Sequence, residues 1–351
     1  MFYEKNSHKY EESARLVYEE LINRDRKNVF FVVNKNTHGL DDVPEKYRSN
    51  FIYQHSFKHY LYFFRCRVFI GTEAIAHSLE LRTHSILFLL KLRSSKNTFV
   101  FLQHGVMYMV SLDSPERSSF KRVNIRSKVR VIVSSQVEAQ HFIDLGGFAP
   151  EELIISGLPS FDNSHLDHNA DKIMIMPTWR IWEYNTIKND PQSSKYVAMI
   201  RRIANAIPAQ LQDKIQIVPH PLFNQLTLFN IEESDLQKSY NQILRGVKVL
   251  ITDYSSISYD AFYRGSNVIF YWEELDECMA HYGEPTHLML TSKTAFGDTC
   301  YNADQLEQAV TTAYYGQQSP EFKQRYANLV KHHDNKNTQR LIQALFDQGI
   351  L

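Results

Sequence analysis

Cysteine is scarce in this chain: Cys66, Cys278 and Cys300 are the three among 351 residues, and no two of them are spaced as CxxC. That excludes a small disulfide-built scaffold and the usual zinc ribbons, and it fits thiols kept reduced. Net charge is also missing, with 39 basic residues against 39 acidic ones. Neither a broad nucleic-acid surface nor an acidic tail is therefore expected. No long apolar run occurs either. The longest, Ile86 to Leu92, contains Lys91 and is followed by Arg93, where a bilayer span needs about 20 apolar residues. The N-terminal stretch MFYEKNSHKYEESARL has no signal-peptide core, so a cytoplasmic protein is expected.

What the chain does have is the composition of a globular protein, 43% hydrophobic and 22% charged. Its length predicts two domains, each able to bury its own core. Aromatic residues make up 13%, and many sit beside positive charges, as from Ser56 to Arg67. Such a segment is either a core helix with a basic solvent face or a helix lying in a membrane interface. Peripheral contact with the inner face of the cell membrane is accordingly carried as an expectation.

Helical and extended signals alternate along the first half. Tyr10 to Asn23 has apolar residues at helical spacing, Asn28 to Asn34 reads as a buried strand, and Phe57 to Phe64 as a helix. Arg67 to Ile70, Thr98 to Leu102 and Val129 to Val133 read as strands, and Gln136 to Leu145 as a helix ended by Gly146-Gly147. A second series begins near Asp171, with strands at Lys172 to Met176, Ile215 to Val218, Val247 to Ile251 and Asn267 to Tyr271. A helix is expected over Ser193 to Ala206, and closing helices over Leu306 to Tyr315, Pro320 to Val330 and Asn337 to Phe346. The polar stretch Phe161 to Ala170 reads as a linker. The expectation is α/β: two Rossmann-like domains, 1–160 and 161–351, facing across a cleft at the C-terminal ends of their strands.

Four motifs fall at or just after strand ends. In Gln103-His104-Gly105 a polar pair stops an apolar strand, and a histidine there can serve as a general base or simply tie down a loop. In Pro177-Thr178-Trp179-Arg180 the arginine offers a planar fork for phosphate oxygens. In Pro219-His220-Pro221 the flanking prolines present the histidine on stiff backbone. In Thr252-Asp253-Tyr254-Ser255-Ser256 a strand delivers hydroxyls to a helix N-terminus. That turn is either an ordinary capped βα turn or a phosphate seat.

Taken in order with Gly157-Leu158-Pro159 and Asp260, these motifs resemble the CDP-glycerol glycerophosphotransferase family, the teichoic-acid primases and polymerases and the related capsule polymerases. The resemblance implies a GT-B fold and transfer of glycerol phosphate, or ribitol phosphate, from a CDP-activated donor to an acceptor hydroxyl, with release of CMP. It implies that His104 is the base, with Gln103 and Gly105 on the acceptor side. His220 would contact the donor diphosphate and share in catalysis. Thr178, Arg180, Thr252, Asp253, Ser255, Ser256 and Asp260 complete the implied donor set. The acceptor would be a polymer or a lipid-linked primer. No DxD pair stands at a strand end, so neither a metal nor another cofactor is expected.

The pattern departs from the family's where Leu102-Gln103 precedes the histidine, Met107-Tyr108-Met109 follows it, and Ser160 follows Pro159. The chain also begins at the early helix with no strand expected before it, which suggests an excised domain of a larger polymerase or a compact variant. Two other readings stay open. One is a nucleotide-sugar glycosyltransferase or epimerase on the same scaffold, and the other is a non-catalytic domain of a capsule enzyme.

Overall fold

The computed structural model describes residues 1–37, 39–76, 85–218 and 239–351. Two compact units emerge: Met1–Met107 with Arg117–Asn163 and Leu329–Leu351, and Tyr108–Glu116 with Ser164–Asn328.

Among the described residues the first unit is built on a parallel sheet of seven strands: β1 (Phe2–Tyr3), β2 (Phe31–Val33), β3 (Phe51–Tyr53), β4 (Val68–Gly71), β5 (Thr98–Phe101), β6 (Lys128–Val133) and β7 (Leu153–Ile155). Their order, β3-β2-β1-β4-β5-β6-β7, is the Rossmann order, which reverses direction between β1 and β4. Two of the unit's helices begin at a serine cap. Ser56 accepts from the backbone N–H of His59 at the start of the helix Phe57–Arg65, and Ser135 accepts from Glu138 N–H at the start of Gln136–Asp144.

β1 corrects the expectation that no strand precedes the early helix Glu12–Asn23. It sits mid-sheet, with Tyr3 fully buried. A β-carbon on Gly71 would lie 2.7 Å from the Tyr3 ring, so glycine in β4 makes room for that ring.

The end of the chain returns to the first unit, not to the second as expected. The helix Asn337–Asp347 receives its cap from Asp162, whose carboxylate accepts from Asn337 N–H at 2.9 Å and Thr338 N–H at 2.7 Å. Arg340 donates to the Ser156 carbonyl at 2.9 Å. Gly157 has φ +76°, and a β-carbon there would meet Asn337 Oδ1 at 2.2 Å. The Gly157-Leu158-Pro159 motif is thus a seat for the closing helix. The segment expected as a linker starts with Phe161, which is fully buried, and Asp162, which is a cap.

In the second unit, β8 (Lys172–Ile175), β9 (Ile215–Ile217), β10 (Val247–Thr252), β11 (Asn267–Tyr271) and β12 (Asp298–Cys300) form a parallel sheet in the order β12-β11-β10-β8-β9. Among the described residues this is a flavodoxin-like order, with its switch point between β8 and β10. Amphipathic helices Lys195–Asn205 and Leu306–Tyr315 bury Val197, Ile200, Ile203, Leu306 and Val310 against the apolar sheet residues Ile173, Ile175, Val249 and Ile251. The short segment Tyr108–Glu116 belongs to this unit: Met289 N–H donates to the Met109 carbonyl at 2.8 Å, and Tyr259 Oη to that of Tyr108 at 2.6 Å.

Candidate active site

In each sheet, polar residues gather where strand order reverses. In the first unit β1 runs into Glu4 and β4 into Thr72, both fully buried. Thr72 Oγ1 donates to Glu4 Oε1, whose other oxygen accepts from Ala14 N–H at 3.2 Å. Burial, reinforced by the nearby Glu12, raises the Glu4 carboxyl well above the usual range. The Thr72 carbonyl oxygen lies 3.0 Å from Nδ1 of His104. A carbonyl only accepts, so this bond requires the proton on Nδ1, and neutral His104 then carries its lone pair on Nε2. His104 is exposed. A tethered, exposed imidazole with Nε2 unprotonated is the arrangement a general base needs.

The loop that carries His104 is anchored from below. Gln103 has φ +54°, a left-handed conformation uncommon outside glycine. It is fully buried, and its Nε2 donates to the Ile132 carbonyl of β6. Glu138, also fully buried, accepts from Met107 N–H at 2.7 Å and Ser134 N–H at 2.6 Å. Burial lifts its carboxyl to about 7, against the opposing pull of those two bonds. Gln103 therefore holds the loop from beneath. Gly105 is likewise buried.

In the second unit the ends of β8 and β10 are stitched together. Thr252 Oγ1 donates to the Met176 carbonyl at 2.7 Å. Asp253 Oδ1 accepts from Thr178 N–H at 2.7 Å and Tyr254 N–H at 2.5 Å, while Oδ2 lies 2.9 Å from Arg180 Nη2. Arg180 also donates to the Thr178 carbonyl at 2.6 Å and reaches Glu274 at 3.4 Å. The rings of Trp182, Tyr196 and Tyr254 surround its guanidinium at 5.9, 5.8 and 5.3 Å.

Arg180, Thr252 and Asp253 are each 1% exposed. The three expected donor contacts are therefore the internal frame of the turn. Arg180 Nε is buried without a hydrogen-bond partner among the described residues, while Nη2 stands in ion-pair distance of Asp253.

Past this frame the turn presents hydroxyls. Ser255 and Ser256 are half-buried and precede the helix Ile257–Arg264. Ser255 Oγ accepts from Ile257 N–H at a long 3.4 Å, and Ser256 makes no side-chain capping bond. The first N–H groups of this helix and its positive dipole end stand at the same place. Thr178 Oγ1 is buried without a hydrogen-bond partner among the described residues. Asp260 lies in the helix's first turn. Together with burial, the larger cause, its charge raises the Tyr326 hydroxyl.

The structure thus brings Thr178, Ser255 and Ser256 to one turn and leaves Arg180, Thr252 and Asp253 beneath it. His220 lies outside the described residues. Thr72, Glu4 and Glu138 support His104 and were not singled out from sequence. The signal for Thr72 was its place immediately after an apolar strand. Among the described residues no group of histidine, cysteine, aspartate and glutamate is arranged to hold a metal ion.

A family model described as CDP-glycerol:poly(glycerophosphate) glycerophosphotransferase matches residues 1–347. The chain belongs to that family. A curated relative of this chain is the minor teichoic acid biosynthesis protein GgaB of Bacillus subtilis (strain 168), 24% identical over 97% of the chain and 39% of GgaB. The chain thus spans about two-fifths of the length of that relative. Among solved structures, the wall teichoic acid polymerase TagF superposes with a TM-score of 0.68 at 16% identity, over 99% of this chain and 88% of TagF. A UDP-N-acetylglucosamine 2-epimerase from Methanocaldococcus jannaschii superposes with 0.54 at 12% identity, over 99% and 98% of the two chains. The chain thus has the expected α/β fold of GT-B type, with two Rossmann-like units.

Proposed function

We propose that this chain transfers glycerol phosphate, or ribitol phosphate, from a CDP-activated donor to an acceptor hydroxyl in the synthesis of a teichoic-acid or capsule polymer. Membership of the glycerophosphotransferase family over residues 1–347 carries this reading, and a TagF variant solved with CDPG agrees with it. The acceptor oxygen attacks the β-phosphorus of the donor while His104 Nε2 takes its proton. The bond from β-phosphorus to the bridging oxygen breaks, and CMP leaves with that oxygen. The Ser255-Ser256 turn, Thr178 and the helix N-terminus receive the diphosphate, where fixed N–H and O–H dipoles stabilise the charge that spreads in the transition state. His220 joins them as the second histidine of the family motif. Asp253 and Arg180 act by holding the turn's shape.

The acceptor side fits a membrane-borne substrate. No helix among the described residues is long and apolar enough to cross a membrane, but two short ones carry apolar outer faces. Phe57 is 83% exposed, Ile86 71%, Leu87 65% and Leu90 62%. The two helices pack through Phe88, whose ring lies 5.1 to 5.7 Å from those of Tyr60, Phe63 and Phe64. Lys58, Arg65, Arg67 and Arg93 flank the patch. Apolar side chains rimmed by cations suit the surface of an anionic bilayer.

The test is a donor panel. Purified protein is incubated with CDP-glycerol, CDP-ribitol or UDP-N-acetylglucosamine and a set of polyol-phosphate acceptors, and nucleotide and polymer products are read by mass spectrometry. CMP release with an acceptor lengthened by one polyol phosphate is expected. The epimerase likeness favours sugar-nucleotide chemistry as the second reading. Turnover of the UDP-sugar with none of the CDP-polyols would establish it instead.

A further inference from the structure

The first unit contains a cavity of about 570 Å³ with His104 in its wall. It lies within the range of roughly 300–1,000 Å³ typical of small-molecule sites. The wall is mainly hydrocarbon. Phe101 stacks on Phe120 at 5.7 Å, and Phe142 meets Phe148 edge-on at 5.4 Å, all four lining the space. These rings give an alkyl chain apolar cover, and His104, Ser119, Asn124 and Ser127 add polar groups to the lining.

Charge at the lining comes chiefly from Arg93 and Arg126, both exposed and neither in an ion pair with a described residue. Glu73 also lines the space, but its carboxylate accepts from Asn6 N–H at 2.9 Å. Leu92 and Arg93 connect the cavity to the exposed patch: both line it, and both lie at the end of the helix that exposes Ile86, Leu87 and Leu90.

We propose that this cavity is a socket for the hydrocarbon chain of an anionic amphiphile, with a phosphate head held at Arg93 and Arg126 and the chain drawn in from the membrane surface. The inference deepens the acceptor side of the transferase reading and rests on it for the role of His104 and for membrane contact. Its test reads binding, not turnover, so either can fail without the other. The chemistry is shared by two sources, a prenyl phosphate and the acyl chain of a phospholipid.

Calorimetric titration of the whole chain with farnesyl phosphate and with a short-chain lysophosphatidic acid, each below its micelle concentration, distinguishes them. Glycerol phosphate and farnesol serve as head-only and chain-only controls. Saturable binding of at least one amphiphile is expected, and the tighter of the two names the source. Ala76→Phe, which narrows the cavity, should weaken that binding by about tenfold or more. Arg93→Ala with Arg126→Ala should weaken the amphiphile by a similar factor and leave farnesol unchanged. Thermal melts establish that the variants fold. No saturable binding of either amphiphile, equal binding of glycerol phosphate, or binding indifferent to both variants in folded protein would overturn the proposal.

Discussion

Arg180 and Asp253 form a buried charged pair at a strand end that holds the turn above it. With 1% exposure each and 2.9 Å between them, removal of one leaves the other charged and unpaired in a dry setting. Arg180→Met should therefore cost about 3–5 kcal/mol of stability, measured by urea denaturation. Adding Asp253→Asn should recover part of it, because asparagine Oδ1 still accepts from Thr178 and Tyr254. Unchanged stability with lost donor affinity would instead return Arg180 to the role of a direct phosphate ligand.

Glu138 makes a second case. Its carboxyl is raised to about 7 by burial, so its contribution to stability is full below the unfolded carboxylate range and is lost as pH rises through 7, by at most about 3 kcal/mol. Glutamine cannot accept from both Met107 and Ser134, so Glu138→Gln should be less stable at pH 5 by about 1–3 kcal/mol. The gap should narrow by pH 8, because only the wild type undergoes the ionisation. Melting curves across this range check it, and a constant gap would contradict the assignment.

At the scale of elements, the exposed helix pair makes a separable claim. Ile86→Glu, Leu87→Glu and Leu90→Glu replace residues with little buried contact, so the fold should hold while flotation with anionic liposomes falls by about tenfold or more. Undiminished flotation would move the membrane surface elsewhere. Elements of this kind also mark what sequence alone could show. Strands with four or more apolar or β-branched residues, such as Thr98–Phe101 and Asn267–Tyr271, were legible because a buried parallel strand needs such a run. Phe2–Tyr3, Phe51–Tyr53, Leu153–Ile155 and Asp298–Cys300 are two or three residues long. They are strands only because neighbours pair with them, and so short a segment has no periodicity to read. The serine turn after β10 was legible as a motif, but the burial of Arg180 beneath it was not. A forked cation reads the same in sequence whether it meets a phosphate or a carboxylate.

For the whole molecule, the return of Leu329–Leu351 to the first unit seats the closing helix on Gly157 and Asp162. The units are interleaved in sequence, with Tyr108–Glu116 and Leu329–Leu351 each crossing a single division near 160. The destination of the last helix could not be read from sequence, since an amphipathic face does not name the surface that covers it.

The central proposal is that His104 serves as the base on the acceptor and that the Ser255-Ser256 turn seats the donor. Its most direct test is the rate of acceptor-dependent CMP release from CDP-glycerol by His104→Ala, with donor affinity measured on the same protein by calorimetry. The account predicts a loss of about 10²-fold or more in rate, with donor affinity within about twofold of wild type because the donor is assigned to the other unit's turn. Wild-type turnover in the variant would contradict it.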